Sequence, residues 1–111
     1  MLSLLVVRGR QQHKIQFGDG GVPELAQAIR AFGNAAEYVP AGLAGLAMLA
    51  LAGAHPLAVH ASGLLLFLGR VAHAIGLSRS AEPSALRSAG MVLTWVAYIL
   101  AGVALLICAF P

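Results

Sequence analysis

The chain has 111 residues, of which 59% are hydrophobic and only 10% are charged, and its mean hydropathy is +0.85. A soluble domain carries about 25% charged residues, so this chain has too few charges to cover a water-facing surface. Apolar segments recur along the whole chain, which excludes a secretory signal followed by a soluble domain. The sequence therefore predicts an integral membrane protein.

The cysteine count and the distribution of charge exclude a fold held by disulfides or zinc and a protein that binds nucleic acid. The single cysteine, Cys108, rules out an intrachain disulfide framework or zinc cluster. The isoelectric point is near 9.8, but the basic residues are scattered at the ends of apolar segments. They form no patch that would bind nucleic acid, and we interpret them as signals of membrane topology.

The first predicted helix, over about residues 1–16, is too short to cross a bilayer. Its apolar run ends at Val7 and basic residues begin at Arg8, whereas a spanning helix needs about 20 predominantly apolar residues. One interpretation is a stub that lies at the membrane interface. The other, which we favour because the run ends in basic residues, is that the upstream half of a first transmembrane helix is missing from this sequence.

Three longer helices are predicted over about residues 23–52, 57–77 and 85–110. The run Gly18-Asp19-Gly20-Gly21 predicts a turn before the second helix, and Pro23 with Glu24 is typical of a helix start. A turn at 54–56 and a polar loop over 78–84 separate the remaining helices. The predicted fold is an all-α membrane protein, with one domain over 1–111 that forms a four-helix transmembrane bundle per subunit, its first helix shortened.

The basic residues predict the orientation of this bundle. The turn at His55 carries no lysine or arginine. By the positive-inside rule, the two other loops face the cytoplasm. All seven basic residues lie in or nearer those two loops: Arg8, Arg10, Lys14, Arg30, Arg70, Arg79 and Arg87.

A polar stripe precedes the apolar half of the second helix. Arg30, Asn34 and Glu37 fall on one helix face at about 100° per residue, and Gln27 extends the stripe by one turn. Ionisable residues in a membrane segment indicate a functional site. The structural alternative is a buried Arg–Glu pair, bridged by Asn34, that holds helices together.

The third and fourth helices carry further polar residues. Arg70 and His73 share a face of the third helix, and Glu37 is the first candidate for a partner from another helix. Arg87, Thr94 and Tyr98 share a face of the fourth helix. A lone histidine beside an arginine does not favour a metal site. The excess of positive charge favours an anionic ligand, because arginine binds carboxylates bidentately and can stabilise a thiolate.

The segment Arg30-Ala-Phe-Gly-Asn34-Ala-Ala-Glu37-Tyr-Val-Pro40 resembles the R-x-x-x-N-x-x-E-x-x-P signature of the MAPEG family, the membrane-associated proteins of eicosanoid and glutathione metabolism. The segments 69–73 and 86–88 are similar to the third helix and the start of the fourth helix in its prostaglandin-synthesising branch. The turn at 18–21 and the stretch 90–95 resemble a small bacterial inner-membrane branch. The resemblance covers nearly the whole chain.

The resemblance implies a homotrimer in the bacterial inner membrane, with glutathione bound between neighbouring subunits from the cytoplasmic side. It implies that Arg30, Asn34 and Glu37 hold glutathione and that Arg87 stabilises its thiolate. Three further residues are expected to contribute to the same cleft: Arg70, His73 and Tyr98. Prostaglandin synthesis is not expected, because Ala74, Leu77 and Met91 replace a threonine and two tyrosines of that branch.

Three functional hypotheses follow. The first is a glutathione-dependent transferase or peroxidase that acts on small lipophilic electrophiles or lipid hydroperoxides in the membrane. The second is a non-catalytic protein of the same type that binds an anionic ligand or lipid. The third, least favoured, is a small multidrug transporter, since such transporters place their key carboxylate in the first helix and this chain has no acidic residue there.

Overall fold

A computed structural model describes residues 1–79 and 82–110, which form four α-helices and, within those ranges, no strand. The helices are α1 (Leu2–His13), α2 (Pro23–Leu51), α3 (Pro56–Arg79) and α4 (Ala85–Ala109). The predicted four-helix order is confirmed. The predicted loop over 78–84 is too long at its start, since Ser78 and Arg79 continue α3. Ser80 and Ala81 of that loop lie outside the described residues.

The turn between α1 and α2 follows the glycine pattern of the sequence. Gly18 and Gly20 have φ values of 63° and 59°, a region that residues with a Cβ atom rarely occupy. The Asp19 carboxylate accepts a hydrogen bond from the backbone N–H of Gly21 at 3.0 Å. Pro23 then opens α2, and its fixed φ angle suits the first helical turn.

The helices α3 and α4 make the closest contact in the bundle because three glycines let their backbones touch. A Cβ atom at Gly90 would lie 2.5 Å from the backbone nitrogen of His73, and one at Gly76 would lie 2.7 Å from that of Arg87. Gly69 likewise faces the backbone of Gly90. This small-residue contact is typical of helix packing in membranes, and it sets the distance between the polar residues of the two helices.

Within residues 1–79 and 82–110, two helices, α3 and α4, are long and apolar enough to cross a bilayer. At 29 residues α2 is longer than either, but its first half carries the polar stripe. With 12 residues, α1 is only about 18 Å long, less than the roughly 30 Å of a hydrocarbon core. Large apolar side chains on α3 and α4, such as Leu57, Phe67, Ile99 and Leu106, are exposed. The fold is that of an all-α, four-helix membrane bundle.

One end of the bundle collects the polar residues. There α2 begins, α3 ends and α4 begins, and the Gln27 side-chain amide of α2 donates to the Leu77 carbonyl of α3 at 2.6 Å. We call this the polar end. The opposite end, where His55 lies in the turn between α2 and α3, is the His55 end.

Candidate functional site

A cleft of about 230 Å³ opens near the polar end between α2, α3 and α4. We call it the inter-helix cleft. It brings together five of the seven residues that the sequence predicted for the site. Its lining residues are Ile29, Arg30, Gly33, Asn34, Glu37, His73, Leu77 and Arg87.

The polar stripe of α2 forms one wall of the inter-helix cleft. Arg30 and Glu37 are exposed, and Asn34 between them is half-buried. Within the described part of the chain, neither Arg30 nor Glu37 makes a side-chain hydrogen bond or ion pair. The alternative of a buried, closed Arg–Glu pair is therefore wrong for this subunit, because both side chains are exposed and form no ion pair with each other.

Arg70 lies behind the inter-helix cleft and joins α3 to both neighbouring helices. Its Nη1 donates to the Asn34 Oδ1 at 2.6 Å and its Nε donates to the Thr94 Oγ1 at 3.0 Å. Its Nη2 donates to the Met91 sulfur at 3.3 Å. The guanidinium carbon lies 5.0 Å from the centroid of the Tyr38 ring, which is within the range of a cation–π contact.

These contacts correct the predicted partner of Arg70. A partner from another helix is confirmed, but it is Asn34 and not Glu37, because the Glu37 side chain lies on the exposed part of α2. Arg70 is also not among the residues that line the inter-helix cleft. Because the Asn34 oxygen accepts from Arg70, the Asn34 amide nitrogen is left as a donor for the cleft.

His73 is held in one tautomer by α4. The side chain is only 5% exposed, and its Nδ1 lies 3.0 Å from the backbone carbonyl oxygen of Arg87. A carbonyl can only accept, so Nδ1 carries the hydrogen in this bond. In the neutral imidazole, Nε2 is then the acceptor.

Arg87 occupies the first turn of α4, where its backbone N–H donates to the Ser84 Oγ at 3.2 Å. Within residues 1–79 and 82–110, its guanidinium has no hydrogen-bond or ion-pair partner. It lines the inter-helix cleft and also an adjoining cleft of about 370 Å³, which shares Arg30 and Leu77. A ligand longer than the inter-helix cleft can therefore continue past both arginines.

Tyr98, the seventh predicted residue, does not line the inter-helix cleft. Its hydroxyl donates to the backbone carbonyl of Tyr38, and the two rings lie 6.2 Å apart. Thr94, on the same face of α4, is fully buried and donates to the Gly90 carbonyl at 2.8 Å. Tyr98 and Thr94 thus belong to a layer of side chains that surrounds Arg70.

The sequence reasoning missed Tyr38 and Met91 as members of this layer. The helical spacing of the sequence contained a signal for both residues. Tyr38 follows Asn34 by one helical turn, and Met91 precedes Thr94 by three residues, so each shares a face with a residue that had been selected.

The inter-helix cleft offers an amide donor, an imidazole, one carboxylate and two guanidinium groups that have no partner among the residues that the structure describes. Arginine pairs bidentately with carboxylates, and a fixed positive charge favours the thiolate over the thiol. This arrangement suits an anionic ligand that also carries a cationic group for Glu37. Among the residues that the structure describes, no group of three or more His, Cys, Asp or Glu could hold a metal ion.

Comparisons with known proteins agree with the family resemblance. The model of the MAPEG family matches residues 1–107. The chain is 39% identical over 98 residues to the inner membrane protein YecN of Escherichia coli K12. These aligned residues make up 88% of this chain and 73% of YecN. The YecN protein of Escherichia coli O6:H1 gives the same values. No solved structure matches the chain significantly. With the family signature lining the inter-helix cleft and the family match covering residues 1–107, the chain belongs to the MAPEG family.

Proposed function

We propose that this protein binds glutathione in the inter-helix cleft and uses it as a transferase or peroxidase toward lipophilic molecules in the membrane. One observation carries the proposal. Helices α2 and α4 place Arg30 and Arg87 on the walls of the same cleft, and within the described residues neither guanidinium has a partner. Two guanidinium groups at the end of a membrane bundle that have no partner among the described residues favour the binding of an anionic ligand.

Glutathione matches the groups of the inter-helix cleft. It has two carboxylates, one ammonium group and a thiol. In our proposal Arg30 and the Asn34 amide nitrogen bind carboxylate oxygens, and Glu37 binds the ammonium. Arg87 is then left to stabilise the thiolate, as the family resemblance implies.

The proposed reaction starts with loss of the thiol proton beside Arg87. In the transferase reaction the thiolate attacks an electrophilic carbon, a carbon–sulfur bond forms, and the leaving group departs with the bonding electrons. In the peroxidase reaction two glutathione molecules are oxidised to the disulfide, and the hydroperoxide is reduced to an alcohol and water. In its neutral form, His73 offers Nε2 as an acceptor for the thiol proton.

The same proposal includes assembly and location. The name of YecN and the positions of the basic residues support a multi-pass protein of the bacterial inner membrane, with both basic loops in the cytoplasm. The exposed side chains of Arg30 and Glu37 leave the inter-helix cleft open on its α2 side. A neighbouring subunit of a homotrimer would close it there, and membrane lipid would surround the apolar faces.

The second candidate function is binding of an anionic ligand without catalysis. It rests on the same unpaired guanidinium groups, since these recognise carboxylate or phosphate whether or not a thiol is present. It differs in one respect that can be measured. A non-catalytic site binds S-methylglutathione as tightly as it binds glutathione, because it forms no thiolate.

Calorimetry on the purified full chain in detergent tests both candidates, with glutathione and S-methylglutathione as ligands. We expect Arg30→Ala to weaken glutathione binding about ten- to a hundredfold, because a charge-assisted hydrogen bond contributes about 1.5–3 kcal/mol. Arg79→Ala is the matched control, since Arg79 is exposed and lies outside the inter-helix cleft. No glutathione binding at millimolar concentration would exclude the proposal.

Turnover with 1-chloro-2,4-dinitrobenzene and with cumene hydroperoxide separates catalysis from binding. We expect Arg87→Ala to lower kcat about 10²- to 10³-fold, the usual cost of removing one group that stabilises a developing anion. The ultraviolet absorbance of bound thiolate should disappear in the same variant. Binding without turnover or thiolate in the native protein would favour the second candidate.

A further inference from the structure

A second cleft, of about 270 Å³, lies between α2, α3 and α4 on the side nearer the His55 end. We call it the apolar cleft. It shares no lining residue with the inter-helix cleft, and most of its wall is made of glycine, alanine and leucine. Its lining residues are Ala41, Gly42, Gly45, Leu46, Ser62, Leu66, Ala97, Tyr98, Ala101, Gly102 and Leu105.

The apolar cleft contains a buried hydroxyl group, that of Ser62. Ser62 is 1% exposed, and among the described residues its Oγ makes no hydrogen bond. Buried polar groups in native proteins almost always have a partner, and each exception needs an explanation. A serine in a membrane helix usually bonds to a carbonyl of its own preceding turn, and Ser62 does not.

The apolar cleft has open space beside two glycines. A Cβ atom built on Gly45 or on Gly102 would meet no atom within 4 Å, so both glycines face open space. Gly42, further along the wall, is instead packed against Leu66 and Tyr98. Two of the three helices that form the cleft, α3 and α4, are long and apolar enough to cross a bilayer, and lipid chains would surround them there.

We infer that the apolar cleft binds a lipid hydrocarbon chain that carries a hydroxyl group along its length, and that this hydroxyl hydrogen-bonds to Ser62. The hydrocarbon part fills the slot beside Gly45 and Gly102, and the oxygen satisfies the buried hydroxyl. An unsubstituted chain fills the slot but leaves Ser62 without a partner. This site is separate from the proposed glutathione site and does not depend on it.

Binding of two uncharged probes, methyl stearate and methyl 12-hydroxystearate, tests the inference in lipid nanodiscs by native mass spectrometry. Esters that carry the hydroxyl at other positions along the chain complete the series. Uncharged esters are used because a free carboxylate would also bind to the arginines of the inter-helix cleft. We expect at least one hydroxylated ester to bind about two- to tenfold more tightly than methyl stearate. Ser62→Ala should abolish that preference.

Two further variants keep the test independent of Ser62. Gly45→Leu should weaken binding of every ester about tenfold or more, because its side chain occupies the slot. Ala47→Leu is the matched control, since Ala47 is exposed on the same helix and lies outside the cleft.

Two results would overturn the inference. The first is equal binding of methyl stearate and all hydroxylated esters to the native protein. The second is unchanged ester binding in Gly45→Leu. A change of oligomeric mass in that variant would then identify the cleft as a contact between copies of the chain.

Discussion

The Nη1 of Arg70 lies 2.6 Å from the Oδ1 of Asn34, and this hydrogen bond orients the Asn34 amide at the wall of the inter-helix cleft. Arg70 gives its other donors to Thr94 and Met91 of α4. One guanidinium thus connects the third helix to the second and the fourth. It also fixes which atom of Asn34 remains for a ligand, namely the amide nitrogen.

Substitution of Asn34 separates the role of its oxygen from that of its nitrogen. Asn34→Asp keeps an oxygen for Arg70 but removes the amide donor and adds negative charge to the inter-helix cleft. We expect the thermal stability to be retained and glutathione binding to weaken more than tenfold. Asn34→Ala leaves the Arg70 donor unpaired and should lower the free energy of unfolding by about 1–3 kcal/mol. Circular dichroism melts and calorimetry in one detergent measure both effects.

Arg70→Lys should disturb the inter-helix cleft through the contact of residue 70 with Asn34. A lysine ammonium is a compact charge and lacks the planar fork that reaches Asn34, Thr94 and Met91 together. We expect a loss of about 1–3 kcal/mol of stability and weaker glutathione binding, although Arg70 does not line the inter-helix cleft. Arg79→Lys, at the exposed end of α3, provides the control. Full stability and full binding in Arg70→Lys would contradict the positioning role.

The close contact of α3 and α4 should be sensitive to a single methyl group. Gly90→Ala places a Cβ atom 2.5 Å from the His73 backbone nitrogen, so the helices must separate. We expect about 1–3 kcal/mol of destabilisation, as for other overpacked positions. Gly102→Ala adds the same group to α4 in open space and should be neutral or stabilising, since alanine favours the helix. Equal melting temperatures for the two variants would refute the contact.

Glu37→Gln tests the contact proposed between Glu37 and the ammonium group of glutathione. We expect about tenfold weaker binding of glutathione, because a charge-assisted pair is lost. An analogue of glutathione that lacks the amino group should bind equally to the native protein and to Glu37→Gln. Calorimetry with both ligands completes a double-mutant cycle. An equal loss for both ligands would mean that Glu37 acts on the fold and not on the ammonium group.

The sequence by itself determined the elements and the candidate side of the bundle. Its apolar segments are separated by glycine, proline and polar turns, and these signals are local, so the four helices follow from them. The spacing of Arg30, Asn34 and Glu37 placed them on one face because helix geometry alone decides that. The family resemblance added a role for Arg87 on another helix, and the structure brings this residue to the same cleft.

Only the tertiary structure decided which polar groups meet. The sequence offered Glu37 as the partner of Arg70, and the structure gives Asn34 instead. It also places Tyr98 outside the inter-helix cleft and leaves the Ser62 hydroxyl of the apolar cleft without a hydrogen bond to any described residue. Helical spacing fixes the face on which a residue lies, but the rotation and distance of neighbouring helices decide the partner. In this protein the glycine contact of α3 with α4 sets that distance, and no pattern within a single helix contains it.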